Sequence, residues 1–316
     1  MKLLNLFLFL ILVSCVNTKG TKTPVAVNTK IIPTSTHLSL TSVSSITPTI
    51  PTPTIEPPCN PFSADFCITD GHFTLQRPIH PPGNDLVDAT YRYGSTADGT
   101  REPHHGVEFP NPSGTPIHAA ADGTVIFAGP DEEAIYSPWA NFYGNVVVLE
   151  HEGASFTLYA HLSKIDVEAG QKVFSGDKIG EVGRTGGAIG SHLHFEVRQG
   201  NGEDYFATQN PELWLVPPKD ANGDPFGTLM ISVIEENHIL INYAKFTLEY
   251  YQDESKPPVK SYYGTTYSSE MLNGEENAVL GELPAGQYRI AVERNGQVYE
   301  RWVEVESGKL TQVVFL

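Results

Sequence analysis

Residues 191–198, Ser-His-Leu-His-Phe-Glu-Val-Arg, alternate polar and apolar without a break. In a β-strand this period puts His192, His194, Glu196 and Arg198 on one face and Leu193, Phe195 and Val197 on the other. The same alternation in Phe156-Thr157-Leu158-Tyr159-Ala160-His161 places Thr157, Tyr159 and His161 together on one strand face. Thr124–Ala128, Asn145–Glu150 and Ser155–Ala160 read as short strands. Turns rich in glycine and aspartate, such as Ala121-Asp122-Gly123 and Ser175-Gly176-Asp177, separate them. No amphipathic helix of ten or more residues stands out. From residue 73 to about 216 the pattern is therefore all-β, a sandwich or a barrel.

Residues 217–224 are turn-rich and mark a boundary. Beyond it, Tyr288–Glu293 and Val298–Val305 alternate on either side of Arg294-Asn295-Gly296-Gln297. An Asn-Gly pair between alternating runs is a hairpin signal. Residues 224–316 are thus expected to form a second, small β-sandwich. Leu283-Pro284-Ala285-Gly286-Gln287-Tyr288 resembles transthyretin-like or carboxypeptidase-regulatory-like modules, for which a spacer is the plainest role.

The first residues differ in kind. After Met1-Lys2, an apolar run from Leu3 to Val13 is too short to span a bilayer and has the length of a signal-peptide core. It ends in Leu12-Val13-Ser14-Cys15, which resembles a bacterial lipobox, whose cysteine becomes the lipidated first residue. Residues 1–15 are read as a lipoprotein signal peptide, with Cys15 attaching the chain to a membrane. Residues 16–58 are dominated by Ser, Thr and Pro and offer nothing to build a core. At about 3.1 Å per residue in polyproline II, such a tether reaches on the order of 100 Å. The remaining two cysteines, Cys59 and Cys67, suit a local disulfide in an oxidising, extracytoplasmic compartment. A net charge of −17 with no basic run argues against nucleic acid as a partner.

Nine of the 11 histidines lie between residues 72 and 194. Residues i and i+2 on a strand are about 6.5–7 Å apart, so one of His192 and His194 can bind a metal while the other stays beside a bound water or substrate. Upstream, His104-His105-Gly106-Val107-Glu108 offers an imidazole and a carboxylate four residues apart. Two imidazoles and one carboxylate with an open fourth position form the ligand set of a catalytic zinc. No Gly-x-Ser-x-Gly elbow supports a serine mechanism.

Four segments occur together and in order: His104–Phe109, Gly114–Val125, Tyr159–Ser163 and Gly190–Arg198. Together they resemble the lysostaphin-type, or LytM-like, zinc metallopeptidases that cut peptide cross-links of bacterial cell walls. The resemblance covers roughly residues 100–200. It implies a metallopeptidase domain over residues 59–216, one Zn2+ and peptidoglycan peptides as substrate. It also implies His104, Glu108 and His194 as metal ligands, with His161 and His192 as catalytic histidines outside the coordination sphere. The family usually has aspartate where this chain has Glu108, whose extra methylene moves the carboxylate by about 1.5 Å. His105 is the rival ligand to His104. A scaffold that binds cell wall or activates another hydrolase is the alternative function.

Overall fold

The computed structural model describes residues 58–316 apart from Asp98 and Asn273. The signal segment, Cys15 and the Ser/Thr/Pro stretch through Pro57 lie outside the described residues. The described residues are all-β, with four sheets and two single-turn 3-10 segments, Pro211–Leu213 and Ser269–Met271.

The central sheet has seven strands, all antiparallel to their neighbours. Its middle is built from Gly123–Pro130, Asn145–His151, Ser155–Ala160 and His192–Gln199, in that spatial order. Two short strands share the outer edge of His192–Gln199. Val107–Pro110 pairs with its first half and Thr208–Gln209 with its second. The run Val146–Leu149 is apolar on both faces because the sheet is buried on both. One face carries Phe109, Val147, Tyr159, Phe195 and Val197, while Val146, Val148, Leu158 and Tyr143 pack on the other.

This double covering changes the reading of 191–198. Alternation alone does not say whether the polar face meets water, and here Glu196 is 0% and Arg198 1% exposed. The segments around Tyr136–Tyr143 and Gly202–Tyr205 roof that face, so its polar groups must bond one another.

Beyond residue 226, two four-stranded sheets enclose a core of Leu229, Ile231, Leu248, Tyr288, Ile290 and Val303. One sheet contains Lys260–Thr265, Lys245–Tyr251, Gly286–Arg294 and Gln297–Val305 in order. Asn295 and Gly296 both have positive φ, as the tight hairpin between the last two strands requires. The other sheet is mixed, because Gly227–Val233 runs parallel to Leu310–Phe315. Its edge is Cys67–Thr69, which pairs with Leu310–Gln312. The residues just after the tether therefore join the C-terminal sheet rather than the central one.

Cys59 and Cys67 form a disulfide closing a loop with a sequence separation of 8. In the chain-entropy view a loop of that size contributes about 2.5 kcal/mol. Replacing both cysteines with serine is expected to lower the unfolding free energy by up to about 2.5 kcal/mol. Zinc content should not change, because this loop docks on the C-terminal sheet; denaturant melts and metal analysis on one preparation check both.

Candidate metal centre and catalytic cleft

Strand register places two of the candidate ligands. His194 and Glu108 are direct cross-strand partners, so their side chains leave the sheet on the same face. His104 lies four residues before Glu108, in the segment that leads into its strand. Glu108 Oε1 is 3.0 Å from His104 Nε2 and 3.1 Å from His194 Nδ1. The two ring nitrogens are 3.2 Å apart. All three residues are buried.

The protons of these rings follow from their other partners. His104 Nδ1 lies 3.1 Å from the Tyr91 carbonyl, which can only accept, so Nδ1 carries the hydrogen and Nε2 a lone pair. His194 Nε2 lies 2.9 Å from Glu196 Oε1, so Nε2 carries the hydrogen and Nδ1 the lone pair. Three lone pairs thus converge with no donor among them. Tetrahedral zinc with bonds of about 2.1 Å separates its ligand atoms by about 3.4 Å, close to this spacing. Glu108 Oε2 is buried, 2.8 Å from His192 Nε2 and without an aligned hydrogen bond. The donor set therefore fits a divalent cation.

Behind His194 lies a closed polar network. Tyr143 donates to Glu196 Oε1 at 2.5 Å, and Arg198 Nε donates to Glu196 Oε2 at 2.8 Å. Arg198 also donates to the carbonyls of Tyr136 and Gly202 and to the Tyr143 hydroxyl. Burial alone would raise the Glu196 carboxyl pKa. Arg198 and His194 outweigh it and hold Glu196 down at about 2, ionised and able to accept from His194. Burial likewise opposes charge on His194, but Glu108 prevails and raises it to about 9.

His161 does not share a strand face with Tyr159 as alternation suggested. Tyr159 is the cross-strand partner of Phe195, on the opposite side of the sheet from His194. The strand ends at Ala160, and His161 takes φ +65, which breaks the two-residue period. Its ring comes round to within 4.9 Å of the His192 ring and 5.7 Å of the His194 ring, centroid to centroid. Nδ1 donates to the Thr185 carbonyl at 2.9 Å, leaving Nε2 free as an acceptor. Gly183 makes room for this turn: a Cβ there would lie 2.2 Å from Ser163 N and 2.6 Å from His161 O. His192 donates from Nδ1 to the Gly190 carbonyl at 3.1 Å.

The rival, His105, faces elsewhere. Its Nδ1 is 3.1 Å from Thr208 Oγ1 and its ring lies against Tyr205. It is not in the His104–Glu108–His194 cluster. A cleft of about 770 Å³ opens over that cluster, with Tyr91, Arg101, Trp139, Phe142 and Ile189 among its walls.

Sequence reasoning missed Tyr91, whose carbonyl fixes His104 and whose ring stacks on it at 4.1 Å. It also gave no role to Glu196, although its place two residues beyond His194 was a usable signal. Tyr143 and the Thr185 carbonyl left none.

Residues 102–206 match the profile of peptidase family M23. The chain carries a peptidase family M23 domain. Its matched span contains all five candidate residues of the cleft. The chain is similar to peptidoglycan DD-endopeptidase ShyA of Vibrio cholerae, 36% identical over 143 residues, 42% of this chain and 31% of that protein. It is also similar to DD-carboxypeptidase/endopeptidase Mpg of Neisseria meningitidis, 41% identical over 95 residues, 30% of this chain and 20% of that one. The chain thus spans less than a third of either relative. Among solved structures, the catalytic domain of lysostaphin from Staphylococcus simulans is 33% identical. That match covers 38% of this chain and 86% of the other, with a TM-score of 0.34.

Two measurements probe the buried groups. Burial, reinforced by neighbouring His194, pushes His161 down to about 3, and burial pushes His105 down to about 4. Their folded values lie below the unfolded value of about 6.5, so the unfolded chain takes up protons first as pH falls. The contributions of these two histidines to the stability of the metal-free protein should therefore be full above about pH 7.5 and decline below about pH 6.5, by up to about 1.4 kcal/mol per pH unit for each group. Denaturant melts at successive pH values would show it, and a flat profile between pH 7 and 5 would contradict it.

Glu196→Gln keeps the shape but removes the charge facing His194 Nε2. Zinc affinity is expected to fall 10- to 100-fold, the usual effect of disturbing a group that orients a ligand. Competition with a chelator measures it.

Proposed function

We propose that the chain is a zinc-dependent endopeptidase that hydrolyses peptide cross-links of bacterial peptidoglycan. In this reading a lipid on Cys15 holds it at an extracytoplasmic membrane surface, with residues 16–58 as the tether. The catalytic domain lies within residues 59–216, apart from Cys67–Thr69, which joins a sheet of the β-sandwich module at 224–316. The observation that carries the proposal is the convergence of the His104, Glu108 and His194 lone pairs at the floor of an open cleft. The M23 match over residues 102–206 and the name of the Vibrio cholerae relative support the reaction class and substrate.

Zn2+, when bound, polarises a carbonyl and lowers the pKa of water towards neutral. The chain's own residues supply the rest. His161 presents Nε2 to the cleft, and its low proton affinity suits it to hold a water by accepting its hydrogen bond. His192 offers a second Nε2, beside Glu108 Oε2. Together they orient a water against a peptide carbonyl and hold the protons that amide cleavage transfers. No covalent intermediate is needed.

Zinc content and hydrolysis of purified peptidoglycan test the reading together. The parent should contain one zinc per chain and release cross-link peptides. His194→Ala should lose both metal and activity. His161→Ala should keep its metal and lose on the order of 10²- to 10⁴-fold in rate. Glu108→Gln should weaken zinc beyond the 10- to 100-fold of an outer group, because it removes the one anionic ligand. A zinc-loaded parent inert on every cell-wall preparation would favour the scaffold alternative.

A further inference from the structure

Tyr267 follows strand Lys260–Thr265 in the C-terminal half of the chain, yet it belongs to the core beneath the histidines. It is fully enclosed. Its backbone N–H donates to Asn277 O at 2.8 Å, and its hydroxyl accepts from Asn210 Nδ2 at 2.8 Å. Its ring meets the ring of Tyr93 edge-on at 5.2 Å. It also presses on Gly94, where a Cβ would lie 2.4 Å from Tyr267 Cδ1, and where φ is +76. Only glycine fits between this ring and the backbone behind it.

The segment that Tyr267 pins is the one that holds His104. Gly94 N donates to His104 O at 2.8 Å, and His104 N donates to Ser95 O at 3.0 Å. The Tyr91 carbonyl takes the Nδ1 hydrogen of the His104 ring. Other contacts from both halves of the chain anchor the same stretch. Arg92 pairs with Glu212, whose Oε2 accepts from Gly281 N at 2.8 Å. Glu282 pairs with Arg77 and accepts from Val87 N at 2.9 Å. Two contacts therefore lead from Tyr267 to His104: ring to Gly94, and Gly94 to the His104 backbone.

We propose that Tyr267 is a positioning residue for the metal centre, so that the C-terminal module is part of the site's support and not a spacer. Tyr267 fixes residues 91–95, and these aim the His104 Nε2 lone pair. The inference rests on the reading of His104 as a ligand. A spacer would meet the catalytic domain through its linker alone, whereas here a C-terminal ring is built into the core beside His104.

The test uses the full chain, stripped of metal and titrated with zinc against a competing chelator. Tyr267→Ala is expected to weaken zinc 10- to 100-fold, as removal of an orienting group does. Tyr267→Phe, which keeps the ring, should bind zinc as the parent does. The Co2+-substituted Tyr267→Ala protein should show an altered visible absorption spectrum, since the coordination angles shift. Leu248→Ala in the C-terminal core controls for general loosening: it should lower the melting temperature and leave zinc affinity alone. If Tyr267→Ala does not fold, Tyr267→Leu takes its place in the same comparison. Parental zinc affinity in the Tyr267 variant, or an equal loss in Leu248→Ala, would overturn the inference. A parent that binds no zinc would instead overturn the functional reading on which it rests.

Discussion

The convergence of three lone pairs in a buried cluster is the constraint on which the rest of the site depends. An imidazole can offer a lone pair only if its other nitrogen keeps the hydrogen, and that hydrogen needs an acceptor of its own. The chain meets the requirement twice by different means. For His104 the acceptor is a backbone carbonyl, that of Tyr91, in an irregular segment. For His194 it is a buried carboxylate, Glu196, on the same strand. Most of the surrounding architecture serves one of these two hydrogen bonds.

The seven-stranded sheet suits this task because both its faces are covered. A cluster of charged and polar groups exposed to water would be screened and mobile; enclosed, each group is held by its partners. Enclosure also carries a cost, since an unpaired buried charge is destabilising. The network answers it locally. Arg198 neutralises Glu196, and Tyr143, Tyr136 and Gly202 satisfy the remaining donors and acceptors. What stays unbalanced is Glu108, where a cation fits.

Much of this was legible in the amino-acid order, and the failures are instructive. The all-β class followed from short alternating runs and frequent turns, and the C-terminal hairpin from Asn295-Gly296. Alternation correctly put His192, His194 and Glu196 on one face, because a two-residue period is a property of any extended strand. It failed at His161, since a single residue with positive φ ends the period and no local signal announced it. It was also silent on exposure: whether a polar strand face meets water depends on segments far away in sequence, here those around Tyr143 and Tyr205. Tyr91 could not be read at all, because the group that acts is a backbone carbonyl common to every residue. The parallel pairing of Gly227–Val233 with Leu310–Phe315 was equally hidden, being a contact between segments about eighty residues apart.

Glutamate at position 108 gains its meaning from this geometry. An aspartate would have to approach from the same cross-strand position with a shorter arm. The glutamate reaches the two imidazoles with Oε1 and still brings Oε2 to 2.8 Å from His192 Nε2. Both His192 nitrogens are then accounted for, one by the Gly190 carbonyl and one by proximity to the carboxylate. The extra methylene therefore does more than shift a carboxylate oxygen, because it brings one carboxylate between the His104 and His194 rings and the His192 ring. His161 instead meets the cluster through ring contacts with His192 and His194 and is anchored by the Thr185 carbonyl. His161 and His192, alike in sequence analysis, are therefore unequal in the folded chain.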